Sequence, residues 1–419
     1  MTVVTGRRRI GKTYLIQKAL GDSNEQMLYF FVAKKAQAPL VKEFAEESRG
    51  KLGIYIPIEI TTFQSLFKLI FEAGRTQKFT LVVDEFQDFL AVAPSFISDL
   101  QNLWDQYRRD THINLVLSGS VMSMMEKIFK DSHEPLFGRA DNIIALKPFK
   151  IKILKEILGD YNPGYAPDDL LALYSITGGI PKYIELLCDN GATDKESMLE
   201  YFCSPMSPFL DEGKNLLINE IGKDFSVYFS ILQLIAEGKS AQNEIEEALG
   251  GLSVGGYIDR LENVYRVIKR YQPIFAKPRS RNTVKYRLAD NFLQFWFRFV
   301  EHNRSLLERD RNDLLAKIVN DEYPTYSGHL LEKYFRQKLG EEGDYREIGQ
   351  WWEPRLGLEA SEIDIVAIGL DKKSALVGEV KRQRRNYDHK LFMKKVETIK
   401  NKILGKYDIS TRLFTLKDM

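Results

Sequence analysis

Residues 6–13 read GRRRIGKT. The string fits G-x4-G-K-[ST]; MTVVT before it is β-rich, and TYLIQKAL after it carries helical apolar spacing. A strand, a glycine-rich loop and a helix in that order cradle phosphate groups, because the loop's backbone N–H groups and the positive end of the helix converge on one anion. By average residue frequencies, a chance match in a chain of this length is on the order of one in a hundred. Gly6, Arg7, Arg8, Arg9, Ile10, Gly11, Lys12, Thr13 and Tyr14 are therefore the expected nucleotide-binding segment. In it Lys12 reaches the β- and γ-phosphates of ATP and Thr13 ligates Mg²⁺.

Such a site needs carboxylates at the end of a neighbouring strand. FTLVVDEFQDFL (79–90) is a continuous apolar run of the kind buried in parallel sheets, ending in Asp84 and Glu85. Asp84 is expected to hold the Mg²⁺ through water, and Glu85 to orient or deprotonate the attacking water. INLVLSGS (113–120) reads as another buried strand ending in small hydroxyl residues. Ser118 is the expected contact to the γ-phosphate, with Ser120 behind it; the alternative is that both serines cap the following helix.

The 419 residues are 44% hydrophobic and 28% charged, an ordinary globular composition with length for roughly two to four domains. Net charge is only +2, but residues 376–419 carry 12 Lys/Arg against 5 Asp/Glu. Basic charge is thus placed rather than general, so a polyanion should meet particular surfaces. Cys188 and Cys203 are the only cysteines, without disulfide-framework or zinc spacing. No run approaches the roughly 18 apolar residues of a membrane span, and MTVVTGRRR lacks the order of a signal peptide. A soluble, cytoplasmic protein is expected.

GRRRIGKT, LVVDEFQ, LSGS, PLFGRAD (135–141) and TGGIPKYI (177–184) together resemble the archaeal-type branch of the STAND ATPases, relatives of AAA+ proteins. The resemblance covers nearly the whole chain. It implies an α/β P-loop core with an ASCE/AAA+-like parallel sheet over 1–148, a helical lid over 149–222, a winged helix over 223–300 and a PD-(D/E)xK nuclease-like α/β domain over 301–419. It further implies that Arg139 contacts the nucleotide's phosphates, its own or a neighbour's, and that Gly179 and Pro181 mark the lid segment that follows nucleotide state. Family members usually carry some twenty or more residues ahead of the P-loop strand, whereas here the strand begins at Met1; weak ATP affinity is the expectation.

Residues 149–222 show repeated helical apolar spacing broken by NPGYAPDD and CSPMSP. A three-helix pattern from FSVYFSILQLIAEG to GGYIDRLENV is followed by two strands around a Pro/Arg-rich turn, which reads as helix-turn-helix plus wing. Arg266, Lys269, Arg270, Lys277, Arg279, Arg281, Lys285 and Arg287 cluster there without an acid, a composition suited to DNA phosphates. The alternative is a winged helix packed within the protein or against a partner. NFLQFWFRFV (291–300) is dense enough in aromatics to read as a buried helix.

SEIDIVAIGLDKKSALVGEVKRQRR (361–385) places Asp364 on one expected strand and Glu379 and Lys381 on the next. An Asp followed some 10–20 residues later by Glu-x-Lys occurs by chance about once in such a chain, so spacing alone decides nothing. Side-chain alternation says more: Asp364 shares a face with Val366 and Ile368, and Glu379 and Lys381 share one with Val377 and Ala375. Carboxylates on apolar faces are costly unless paired or ligated to a cation. The helix GHLLEKYFRQKL (328–339) carries Glu332, and the order helix, three strands, basic helix (389–404), last strand resembles the PD-(D/E)xK core. By that resemblance Glu332, Asp364 and Glu379 bind Mg²⁺ and Lys381 positions or activates water.

The resulting expectation is an ATP-binding and hydrolysing protein coupled to a DNA-binding, Mg²⁺-dependent nuclease-like domain. The alternative is a nucleotide-dependent switch or scaffold whose winged helix and C-terminal domain bind DNA or a protein partner without cleavage; a homo-oligomer is compatible with either.

Overall fold

Alternation along neighbouring strands sorts the first 147 residues into layers. The computed structural model describes residues 1–21, 26–222, 225–276, 284–353 and 361–419. Strands β1 (Thr2–Thr5), β2 (Gln26–Phe31), β3 (Phe79–Asp84), β4 (Ile113–Gly119) and β5 (Asn142–Ala145) form one sheet in the order β2-β3-β4-β1-β5, with every pairing parallel. Val3, Leu81, Val83, Leu115 and Leu117 point into an aromatic core with Phe44, Phe63, Phe67 and Phe96. Val4, Val82 and Val116 point the opposite way, against Ile16 of the helix Lys12–Gly21. Burial on both faces is why the centre of β3, Leu81-Val82-Val83, is apolar without a break. β5, at the sheet edge, is exposed along its length.

Parallel strands share one carboxyl edge, where open α/β sheets bind their ligands. Thr5 pairs with Gly119 across β1 and β4, and Val83 with Leu117 across β3 and β4. The loop after β1, the acids ending β3 and the serines ending β4 therefore all lie along that edge. Gly119 is needed there, because a Cβ would collide with Gln87 Oε1 and Met125 Sδ.

Residues 148–419 form a second unit. Short helices from Ile151–Tyr161 to Phe209–Ile221 open it, and Trp296 docks on the last of these: its indole N–H donates to Leu210 O at 2.9 Å. Gly213 faces the same ring, where a Cβ would meet it. Phe292, Phe295, Phe297 and Phe299 are likewise wholly buried, so the aromatic run 291–300 is core. Helices Phe225–Ala236, Gln242–Ala248 and Gly255–Asp259 lead into an antiparallel hairpin of β6 (Ile268–Tyr271) and β7 (Lys285–Leu288). Of the expected basic cluster, Lys277, Arg279 and Arg281 lie outside the described residues.

The 31-residue helix Asn312–Glu342 ties this unit together. Tyr334 packs edge-on against Tyr174, and Tyr174 donates to Gln337 Oε1 at 2.9 Å. The helix also packs on a four-stranded sheet ordered β11-β10-β9-β8. Strands β8 (Tyr345–Trp352), β9 (Glu362–Gly369) and β10 (Ser374–Val380) run antiparallel in sequence, and β11 (Asp408–Phe414) joins β10 in parallel. Val366, Ile368, Ala375 and Val377 bury against Phe392, Val396 and Ile399 of the helix His389–Ile399. No helix among the described residues is long and apolar enough to cross a membrane.

Candidate functional site

The loop from Gly6 to Thr13 turns through Arg9 at φ 70° and Gly11 at φ 88° before the helix Lys12–Gly21 begins. No acid occupies the first turn of that helix, which leaves its positive end suited to an anion. Ile10 is buried and pins the loop, Arg7 is half-buried, and Arg8, Arg9, Thr13 and Tyr14 are exposed. Lys12 donates to Gly6 O at 2.9 Å and Arg7 O at 3.3 Å, so its amine lies across the loop it belongs to.

Asp84 is 5% exposed and gathers three donors. Thr13 Oγ1 lies 3.3 Å from Oδ2, Tyr29 Oη donates to the same oxygen at 2.5 Å, and the Glu85 N–H donates to Oδ1 at 3.0 Å. Tyr29 is carried on β2 next to β3. Burial first, then the hydrogen bond to Asp84, pushes its phenol well above the usual range.

Glu85 takes φ 53°, left-handed backbone that costs a non-glycine residue about 1 kcal/mol. Its Oε2 accepts from Gln87 Nε2 at 2.6 Å, Ser120 Oγ at 2.6 Å and Ser120 N at 3.2 Å. Strain and three hydrogen bonds hold the carboxylate in one position, as a group that handles a proton requires. Of the two serines, Ser120 touches Glu85, whereas Ser118 is 0% exposed and its hydroxyl has no hydrogen-bond partner. Ser118, the expected γ-phosphate contact, lies inside β4 before Gly119. The turn after Gly119 is what swings Ser120 onto the acid.

Arg139 is committed elsewhere: Nε and Nη2 grip Asp105 at 3.0 and 2.7 Å, and Nη1 donates to Pro135 O at 2.7 Å. It hydrogen-bonds to neither Lys12 nor Glu85. Tyr29, Gln87 and Asp105 are the contributors sequence reasoning missed; only Gln87, two residues after Glu85 in DEFQ, left a local signal. In the second unit Gly179 takes φ 81° and accepts from Phe149 N at 2.8 Å, and Pro181 opens the helix Pro181–Asp189.

A second cluster lies where the long helix meets the four-stranded sheet. The register Gly378↔Ile365 sets Glu379 beside Asp364. Glu379, 5% exposed, is met by Lys381 Nζ at 2.9 Å and Lys395 Nζ at 3.3 Å. Asp364 Oδ2 accepts from Val380 N at 2.8 Å. Glu332 is held by Gln350 Nε2 at 3.0 Å, His329 Nδ1 at 3.3 Å and Arg336 Nη1 at 3.6 Å. Burial, and then the Glu332 carboxylate, push Asp364 up to about 7. Burial works against an ionised Glu332 too, but His329 and Arg336 outweigh it and hold that carboxyl below its usual range. Burial likewise pulls the Lys381 amine down, and contact with Glu379 more than restores it. All four sequence-expected residues thus sit at one junction, but cations already cover two of the acids. Among the described residues no three His, Cys, Asp or Glu side chains are grouped so as to hold a metal ion.

Residues 1–187 match a family described as an ATPase domain predominantly from Archaea. Residues 296–397 match one described as archaeal and bacterial proteins of unknown function. An uncharacterised protein of Methanocaldococcus jannaschii is 27% identical over 391 residues, covering 90% of this chain and 82% of the relative. The Walker-type ATPase paby2304 of Pyrococcus abyssi shares the fold with a TM-score of 0.51 at 18% identity, over 71% of this chain and 90% of that one. The ORC2 protein of Aeropyrum pernix gives a TM-score of 0.43 at 14% identity, over 74% and 88%. With its phosphate loop and acids gathered on one sheet edge, the first unit matches an archaeal-type ATPase domain, and the chain is an ATP-hydrolysing enzyme.

Proposed function

We propose that this chain hydrolyses Mg²⁺-bound ATP at the first unit and acts on DNA through a nuclease-like domain at its C-terminal end. The observation that carries the first half is the meeting of Thr13 Oγ1 and Asp84 Oδ2 at 3.3 Å, beside Glu85 and Ser120. Hydroxyl and carboxylate oxygens are hard donors that fit Mg²⁺. Thr13 and Asp84 would hold the ion, which when bound would offset the charge of the phosphates. Lys12 leaves the Gly6 and Arg7 carbonyls for the β- and γ-phosphates, and Glu85 receives the proton of the attacking water while Ser120 and Gln87 hold it in place. Arg139 reaches phosphate only after releasing Asp105.

In the second unit we read 149–222 as a lid, 223–300 as a winged helix and 301–419 as the nuclease-like domain. The helices before the β6–β7 hairpin, and the hairpin's Lys269 and Arg270, both exposed, support a wing that meets DNA phosphates. Asp364 beside Glu379, with Lys381 at 2.9 Å and Glu332 acting on Asp364, supports the nuclease-like reading. Their oxygens suit Mg²⁺, and mutual repulsion between acids is what a cation would relieve. The reading places the protein in the cytoplasm. Its test is cleavage of plasmid and single-stranded DNA with Mg²⁺ or Mn²⁺, with and without ATP. Cleavage by wild type that is lost in Glu379→Ala is expected; cleavage unaffected by that change would sink the assignment.

One observation favours a second reading. Lys381 and Lys395 both contact Glu379, leaving it neutralised by the chain itself. A domain of that kind binds DNA or a protein partner under nucleotide control and does not cut. DNA affinity without cleavage under any metal, beside normal ATP hydrolysis, would establish it.

A further inference from the structure

A cavity of about 560 Å³ opens in the second unit between the β6–β7 hairpin and the long helix Asn312–Glu342. That is the size of an ordinary small-molecule site. Five cations line it, namely Lys285, Arg287, Arg298, Lys333 and Arg336, against three acids, Glu237, Asp321 and Glu322. Arg298 and Glu322 cancel each other at 2.6 Å, and Glu237 lies 3.4 Å from His302.

Lys285 lies 3.7 Å from Glu362 and over the Trp352 ring at 4.6 Å, which leaves three cations to consider. Lys333 donates to two neutral acceptors, Asn291 Oδ1 at 2.6 Å and Ala289 O at 3.2 Å. Arg287 stacks its guanidinium over the Tyr271 ring at 5.3 Å. Arg336 spends one hydrogen bond on Asp364 O at 2.8 Å and stands 3.6 Å from Glu332. Arg287 and Arg336 are both close enough to Lys333 to act on its charge. Cations that outnumber the acids beside them, here Glu332 and Asp290, repel one another, and an anion between them turns that repulsion into binding. A separate observation points the same way: the hydroxyl of Tyr326, a residue lining the cavity, is buried and has no hydrogen-bond partner among the described residues. A buried donor left unmatched is destabilising, and a ligand acceptor would satisfy it.

We infer that this cavity binds a phosphate-bearing ligand of nucleotide size, with its phosphate among Arg287, Lys333 and Arg336 and its remainder beside Tyr271 and Tyr326. Arginine's planar fork suits phosphate oxygens, and the tyrosines add apolar ring surface beside the cations. The site is separate from the P-loop and does not depend on ATP hydrolysis. A soluble nucleotide and the terminal phosphate of a nucleic-acid strand share this chemistry.

The test uses the full chain carrying Lys12→Ala, so that the P-loop contributes little. Calorimetry with pyrophosphate, AMP and a short 5′-phosphorylated oligonucleotide is compared before and after adding Arg287→Gln or Lys333→Met. Binding that weakens by about tenfold or more in both variants is expected. AMP as the tightest probe identifies a soluble nucleotide, and the oligonucleotide as the tightest identifies a strand end. No binding, or binding indifferent to both substitutions, overturns the inference. Thermal melting keeps the test decisive if a variant is fragile. Lys333→Met removes a like charge, so without ligand it should melt at or above the Lys12→Ala parent while losing the upshift that pyrophosphate gives that parent. A lower melting point with the upshift intact would make Lys333 a structural residue serving Ala289 and Asn291.

Discussion

Tyr29 Oη donates to Asp84 Oδ2 at 2.5 Å, on the oxygen that also meets Thr13 Oγ1. The neighbouring strand thereby fixes the carboxylate expected to serve Mg²⁺. A hydrogen bond to a carboxylate contributes about 1.5–3 kcal/mol. Tyr29→Phe keeps the ring's packing and should lower ATP hydrolysis about tenfold, with a raised Mg²⁺ requirement, as read by titrating Mg²⁺ in a steady-state assay. An unchanged Mg²⁺ dependence would remove Tyr29 from the site.

Ser120 and Ser118 should separate cleanly. Ser120 Oγ holds Glu85 at 2.6 Å, so Ser120→Ala should slow hydrolysis about tenfold with little effect on nucleotide binding. Ser118 Oγ is buried and unpartnered, so Ser118→Ala should leave the folded chain as stable or more so, and hydrolysis within about twofold. Parallel rate and denaturation measurements on the two variants decide it. A larger rate loss at Ser118 would restore the strand-end serine as the phosphate contact.

Arg382 makes two 2.8 Å bonds to Asp168, 214 positions away, and its guanidinium lies over the Tyr323 ring at 5.6 Å. This pair connects the helix Pro167–Thr177 with the residue after Lys381. Among the described residues, removing Arg382 leaves Asp168 only Lys195 at 3.7 Å, so Arg382→Ala should cost about 2 kcal/mol in urea denaturation. The double variant with Asp168→Ala should cost less than the two single losses combined.

Asp364, pushed up to about 7 by burial and by Glu332, gives a pH test. A carboxyl whose folded-state pKa is raised favours folding while protonated. Its support is complete below the unfolded-state value and disappears as pH rises through the folded-state value. Asp364→Asn stays neutral throughout and should therefore gain stability relative to wild type between about pH 5 and pH 8, as read by denaturation midpoints. A difference that stays flat, or that shrinks, would show Asp364 to be ionised across this range.

Much of the first unit was legible because its chemistry is written in short strings with fixed punctuation. GRRRIGKT and VVDE need only a strand end beside them, and burial on both faces makes such strands continuous apolar runs. Tyr29 was not legible: within QMLYFF it reads as one more core aromatic, and only the pairing of β2 with β3 brings it to Asp84. Edge strand β5 is four exposed residues, too short and too wet to announce itself. Pro324 hid the length of the helix Asn312–Glu342, since proline inside a helical pattern reads as an end. Alternation along β9 and β10 placed Asp364 and Glu379 correctly on a buried face. His329 and Arg336 meet Glu332 at one-turn spacing within their own helix, but Lys395, which meets Glu379, arrives from another helix through long-range packing that no local pattern encodes.

The most direct test of the ATPase site is single-turnover hydrolysis of ATP with Mg²⁺ by wild type and Glu85→Gln, with nucleotide binding measured on the same preparations. Glu85→Gln should bind ATP normally and hydrolyse it about 100-fold more slowly or worse, because the proton acceptor held by Gln87 and Ser120 is gone. Hydrolysis at the wild-type rate in Glu85→Gln would contradict the site described here.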